Sequence, residues 1–207
     1  MNLKGWSLTV VCALFSFLVV ELMLQPKNDS ESPAPTVEKT AVNAVENLND
    51  VDKLKIMSGL TALEGSGITV EMNDSTKTAK SGENPNLYVI HDDDVLRVIN
   101  ELRAAGAEAI SINGQRLIDT SEIRCAGPTL SVNNVRSAAP FIISAIGDKT
   151  ALENSIKMRG GVEQTLGVWG INIEVRVADN IYIPSFSGER RYLHAQPVDE
   201  KTVFGAK

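Results

Sequence analysis

From Gly5 to Val20 the chain runs GWSLTVVCALFSFLVV without one charged side chain, and Leu22, Met23 and Leu24 carry the apolar stretch past the single Glu21. At a rise of about 1.5 Å per residue, a helix from Gly5 to Leu24 covers the ~30 Å hydrocarbon core of a bilayer. Glu21 then lies near one interface, where its carboxylate reaches water, and Trp6 suits the other. The competing reading is a cleaved secretory signal, whose apolar region has a similar length. Against it, no A-x-A-like site follows, and Pro26 and Pro33 stand where cleavage would fall. Both readings export the remainder of the chain. Lys4 and the α-amino group precede the run, while a mixed Lys27, Asp29 and Glu31 follow it, which places the N-terminus in the cytoplasm. The expected location is the cell membrane, crossed once by residues 5–24, with the C-terminal domain extracytoplasmic.

An anchor of this kind divides the chain. Residues 1–24 form the cytoplasmic end and the transmembrane helix, and residues 25–36 (QPKNDSESPAPT), with three prolines and no apolar period, form an extended linker. Residues 37–60 make a helical stalk, in which Ala41, Ala44, Val45, Leu48, Val51, Leu54 and Met57 recur at three- and four-residue spacing. That stripe has two readings: a short coiled coil pairing two copies into a homodimer, or one amphipathic helix packed on its own domain. Residues 61–184 hold the only stretch long enough for a core, and residues 185–207 turn polar and aperiodic, as a flexible tail does.

Within residues 61–184 the periods alternate between strand and helix. Ile68 to Met72 alternates apolar with polar, and Leu87 to Ile90 is a continuous apolar run read as a strand. Three aspartates open a helix whose inner face is Val95, Val98, Ile99, Leu102 and Ala105, stopped by Gly106. A strand through Ile110 and Ile112 meets Asn113-Gly114, the dipeptide best suited to a tight hairpin, and returns through Gln115 to Ile118. Thr129 to Val132, an Asn133-Asn134 turn and Phe141 to Ile146 follow as strands. Helical signals after Asp148 (Leu152, Ile156) break at Gly160-Gly161 and resume through Val162, Leu166 and Trp169. Ile171 to Val177 alternates strictly, and Asp179-Asn180 is read as a turn into Ile181 to Ile183. Two strand-helix-strand passages, around residues 87–112 and 141–177, predict an α+β domain. Its expected form is a ferredoxin-like sandwich with both helices on one face of a mainly antiparallel sheet.

Chemistry is harder to find. A net charge of −6 and a pI near 5.0 argue against a nucleic-acid partner, since neutralising phosphates takes an excess of lysine and arginine. Cys12 lies in the apolar run and Cys125 far downstream, so the cysteines form neither a disulfide framework nor a metal knuckle. His91-Asp92-Asp93-Asp94 reads as the capped start of a helix, not as a metal site, because a hard cation needs further oxygen ligands at loop spacing. Cys125 reads as a buried inert thiol whose helper residue is missing or remote, since the only histidines are His91 and, in the tail, His194. Gly160-Gly161 lacks the Lys-Ser/Thr of a phosphate-binding loop. No residue set predicts catalysis or a cofactor. Asn113, Gln115, Arg116 and Arg124 cluster about the central hairpin, where arginines beside amides could grip a carboxylate or phosphate, or simply solvate the sheet and fix the turn.

Leu63-Glu64-Gly65-Ser66-Gly67-Ile68-Thr69-Val70, His91-Asp92 leading into Val98-Ile99-Asn100-Glu101-Leu102-Arg103-Ala104-Ala105-Gly106, the stretch Ala107 to Arg116, and Ile123-Arg124-Cys125-Ala126-Gly127-Pro128 together resemble the YlxW-like family. The likeness spans residues 60–184. That family comprises uncharacterised bacterial membrane proteins, chiefly of Gram-positive lineages and often encoded near cell-division genes. The resemblance implies a layout of membrane helix, coiled-coil stalk and α+β domain, with a stalk that is shorter and less regular here. It also implies envelope or division-site proteins as partners. It transfers no catalytic residue. The expected function is a membrane-anchored, non-enzymatic interaction module of the cell envelope, with an extracytoplasmic sensor of a small anionic ligand as the alternative.

Overall fold

The computed structural model describes residues 48–189 and 193–198. The expected anchor, linker and most of the stalk lie outside the described residues, among which no helix is long and apolar enough to cross a membrane. The part of the stalk that is described is α1 (Asp50–Met57), capped by the Asn49 side chain on the Asp52 amide. α1 buries none of its residues, and Val51, Leu54 and Met57 of the apolar stripe all stand exposed.

The domain is mixed α+β with two antiparallel sheets. The five-stranded sheet contains β1 (Leu63–Asn73), β2 (Ala109–Ile112), β3 (Gln115–Arg116), β7 (Phe141–Ile146) and β8 (Asn172–Ile183), in the order β3-β2-β7-β1-β8. The smaller sheet is a meander of β4 (Ile123–Ala126), β5 (Thr129–Val132) and β6 (Val135–Ser137). α2 (Asp92–Ala104) connects β1 to β2, and α3 (Lys149–Lys157) with α4 (Val162–Gly167) connects β7 to β8. All these strand pairs are antiparallel; β7 is the central strand, and β1 is joined to β7 on one side and to the edge strand β8 on the other.

Local chemistry explains most of these elements. α2 buries Val95, Val98, Ile99 and Leu102, one stripe at helical period. Each such side chain contributes about 1.5–3 kcal/mol of transfer free energy. α3 starts where Asp148 accepts the Ala151 amide, and α4 restarts after Gly160, whose positive φ no side chain opposes. Asn113-Gly114 and Asn133-Asn134 take left-handed backbone and close the β2–β3 and β5–β6 hairpins.

The structure corrects two elements. Leu87 to Ile90 is not a strand: Pro85–Tyr88 form a 3₁₀ turn with Asn84 at its cap, and the strand before α2 is β1. Proline favours the first helical position, and Leu87 and Val89 are exposed, so the run serves a surface instead of the sheet. Asp179-Asn180 is not a turn either. β8 runs through it, with a register shift that leaves two residues opposite Ser66 alone. Such a bulge reverses the alternation of faces. Ile173 and Val175 join the main core with Ala145, while Ile181 and Ile183 pack with Ala178, Ile146 and Ala109 in a second cluster on the other face. Beyond β8, the Phe186 amide donates to the Gly59 carbonyl at 2.8 Å.

Candidate functional site

Residues 74–90 are tied down at several points, and the ties create a cleft. The Ser75 amide donates to the Tyr88 carbonyl, the Ile90 amide to Asp74 Oδ1, and the Ser75 hydroxyl to the Trp169 carbonyl, each within 2.9 Å. Tyr88 and Trp169 then meet edge to face, ring centres 6.0 Å apart. The Tyr88 hydroxyl donates to Glu83 at 2.6 Å, which pulls that carboxyl below its ordinary range and pushes the phenol above its own. Between this loop, the start of α2 and the end of α4 lies a cleft of about 410 Å³. Leu87, Val89, Leu166, Trp169 and Ile171 supply its apolar walls, and Asp93 and Asp94 its acidic rim. Arg97, also on the lining, is held by a 2.8 Å bond to the Thr165 hydroxyl.

His91 connects the cleft to a second cluster. Its Nε2 lies 3.0 Å from the Asn86 carbonyl, which can only accept, so Nε2 is the donor of that bond and Nδ1 faces the other way. Cys125 Sγ lies 3.6 Å from that Nδ1 and 3.3 Å from Asp92 Oδ1. The other Asp92 oxygen accepts the Cys125 amide at 3.0 Å, and the Asp92 amide approaches the sulfur at 3.4 Å. The expectation of a buried thiol with no histidine nearby is therefore overturned: Cys125 is exposed, and the fold brings His91 to it. The chemistry still opposes a nucleophile. Desolvation and the Asp92 and Asp93 carboxylates push the thiol above its usual range, so it is held protonated, whereas reactive cysteines have electropositive surroundings. The amide and thiol of Cys125 hold Asp92 below the usual aspartate range. The pairing ties α2 to β4. Two of the aspartates cap as expected: Asp94 reaches back to the His91 amide, and Asp92 Oδ1 accepts the Asp93 amide at 3.1 Å. Among the described residues, no group of three or more acids, histidines and cysteines could hold a metal ion.

Of the four hairpin residues, Asn113, Gln115 and Arg116 share one turn and strand, while Arg124 stands exposed on β4 in the other sheet. Asn113 Oδ1 accepts the Ile142 amide at 2.7 Å, fixing the turn to β7. Arg116 is only 4% exposed. Its Nε meets no partner among the described residues, its Nη1 is 3.5 Å from the Thr61 carbonyl, and burial depresses its pKa. The acidic-aromatic cleft escaped sequence reasoning, because Leu87 and Val89 read as part of a strand and Trp169 as the continuation of the Val162-Leu166 stripe.

With this geometry in place, comparison with known proteins identifies the family. A family described as bacterial protein of unknown function (DUF881) matches residues 50–196. The chain belongs to the DUF881 family. Among its DUF881 relatives, UPF0749 protein YlxW of Bacillus subtilis is 36% identical over 134 residues, 65% of this chain and 58% of that protein. UPF0749 protein Rv1825 of Mycobacterium tuberculosis is 30% identical over 150 residues, 70% of this chain and 47% of that one. The chain thus spans roughly half the length of the curated relatives it matches. A crystal structure of an uncharacterized conserved protein from Mycobacterium tuberculosis superposes with a TM-score of 0.58 at 26% identity, covering 72% of this chain and all of that one. The YlxW-like resemblance read from the motifs is borne out.

Proposed function

We propose that this DUF881 protein is a membrane-tethered, non-enzymatic interaction module of the bacterial envelope, whose cleft takes a short segment of another envelope or division-site protein. Its fold, on this reading, is a ferredoxin-like sandwich carrying the β4–β6 meander as an insertion. The fold reading is supported by the strand order β2-β7-β1-β8, in which each helical connection returns to a strand one place removed. The apolar run Gly5 to Leu24 provides the tether, N-terminus inside, and the exposed Val51, Leu54 and Met57 stripe pairs two stalks.

One observation carries the functional reading: apolar walls that include Trp169, with Asp93 and Asp94 on the same lining, form a recess in which a peptide bearing one apolar and one basic side chain satisfies both surfaces. The test is a photoreactive phenylalanine at Leu87 in the living bacterium, with crosslinked products identified by mass spectrometry. An envelope protein is the expected product, lost on Asp93→Lys and on Trp169→Ala. A fusion distributed evenly around the cell, with no envelope protein captured, would refute the reading.

A second reading, a sensor of a small anion, is favoured by Arg116, a guanidinium only 4% exposed whose Nε meets no partner among the described residues. A thermal-shift screen against anionic cell-wall metabolites tests it. A stabilising ligand whose effect vanishes in Arg116→Ala supports this reading, and no shift at millimolar ligand rejects it.

A further inference from the structure

β8 is the longest strand among the described residues and lies at the end of its sheet, where none of them pairs with its outer edge. Long free edges invite another strand, and proteins usually guard them with charged side chains, proline, bulges or short length; the bulge of β8 falls at Asp179-Asn180, past the stretch from Ile173 to Val177. β8 has no proline, and its edge charges differ in sign: Glu174 and Arg176 flank Val175. On the strand's other face, Ile173 is buried, Val175 is half-buried and Val177 is 47% exposed, so the apolar stripe is progressively less covered along the edge.

This pattern is complementary to itself. We propose that β8 pairs antiparallel with β8 of a second copy, about a two-fold axis through Val175, joining two five-stranded sheets into one. In that register Glu174 lies opposite Arg176 of the second copy, and Arg176 opposite its Glu174. Val175 meets Val175, and Ile173 meets the exposed Val177. Arg176 already bonds Glu71 at 3.0 Å and Glu174 at 2.8 Å within its own chain, so it is oriented along this face before a partner arrives. The pleat allows only registers in which like-facing residues meet. Centring the pair one residue earlier sets Glu174 against Glu174, and one residue later sets Arg176 against Arg176. Directly opposed like charges destabilise a sheet, so the edge selects one register over its neighbours. The surface differs from the stalk stripe and does not depend on the cleft.

The experiment uses the full chain in its membrane, with Cys12→Ser and Cys125→Ser as background and Val175→Cys as the probe. Directly opposed residues have Cα atoms about 4.5–5.5 Å apart, within the roughly 4.4–6.8 Å that a disulfide spans. Mild oxidation is expected to give a covalent dimer. Asp179→Cys is expected to give none, because the two copies of that position would lie about 27 Å apart along the strands. Adding Arg176→Glu should slow dimer formation about tenfold, since two cross-strand pairs become repulsive together. The double exchange E174R/R176E should restore it. Should Val175→Cys fail to fold, chains carrying Glu174→Cys and Arg176→Cys under different tags should crosslink to each other and not to themselves. Folded Val175→Cys that stays monomeric, a crosslink to some other protein, equal crosslinking from Asp179→Cys, or no rescue by the double exchange would each overturn the proposal.

Discussion

Replacing Arg116 with methionine should make the ligand-free protein more stable, although it deletes a buried, hydrogen-bonded arginine. The stem of Arg116 packs beneath Gly59, where an added Cβ would lie 3.8 Å from Cγ and 3.9 Å from Nε, and methionine keeps most of that stem. The loss is one bond at 3.5 Å, the outer limit for such a contact and worth under about 0.5 kcal/mol. The relief is of an Nε without a partner among the described residues, a desolvation cost of about 1–3 kcal/mol. The net expectation is a gain of about 1–2 kcal/mol. For a domain of this size that raises Tm by roughly 2–8 °C. Thermal unfolding followed by near-ultraviolet circular dichroism measures it, with Arg116→Ala as the companion that loses the stem and falls in stability. A methionine variant less stable than the parent by more than about 1 kcal/mol would show that the guanidinium is compensated in solution, and the reasoning would fail.

Gly67→Ala should be among the most damaging single changes, costing about 3–5 kcal/mol or abolishing folding, because its Cβ would lie 1.9 Å from the Ala145 carbonyl oxygen of β7; thermal unfolding of the purified variant checks this. Asp92 titrates lower in the folded chain than in the unfolded one, so its tie to Cys125 stabilises above the unfolded pKa and weakens as pH falls through the folded one. The protection of the Cys125 amide from hydrogen exchange, taken relative to an unstructured amide at the same pH, should therefore fall as the pH drops below the ordinary aspartate range, and Asp92→Asn should show the reduced protection already at pH 7. In a Cys12→Ser background, Cys125 should react with iodoacetamide more slowly at pH 8 than a free thiol despite its exposure, and Asp92→Asn should speed it up. A thiol as reactive as free cysteine would refute that account.

Much of the fold was legible because its signals are local. The α2 stripe, the Asp148 cap, the paired asparagine turns and the alternation from Ile171 to Val177 each depend on neighbours within a few residues. Leu87 to Ile90 misled because period alone cannot tell an apolar run that enters a sheet from one that lines a cleft. β4 gave no alternation to read: its sheet is small, and Arg124 and Cys125 are both exposed. The site was the least legible part. That His91, Asp92 and Cys125 meet across 33 residues is a product of topology, and nothing near Arg116 in sequence marks it as the arginine that the chain folds over.

The bond between Phe186 and Gly59 has a mechanical side. It brings the chain beyond β8 back to the residues that precede β1, and Leu63 pairs with Ile183, so the two flanks of the domain leave from the same end of the β1–β8 ladder. A force drawn between those flanks would open the ladder like a zip, one pair after another from Leu63 and Ile183 inward. Strands loaded in shear resist with all their bonds at once, whereas this pair would yield sequentially, and the domain would be soft to tension while remaining stable at rest.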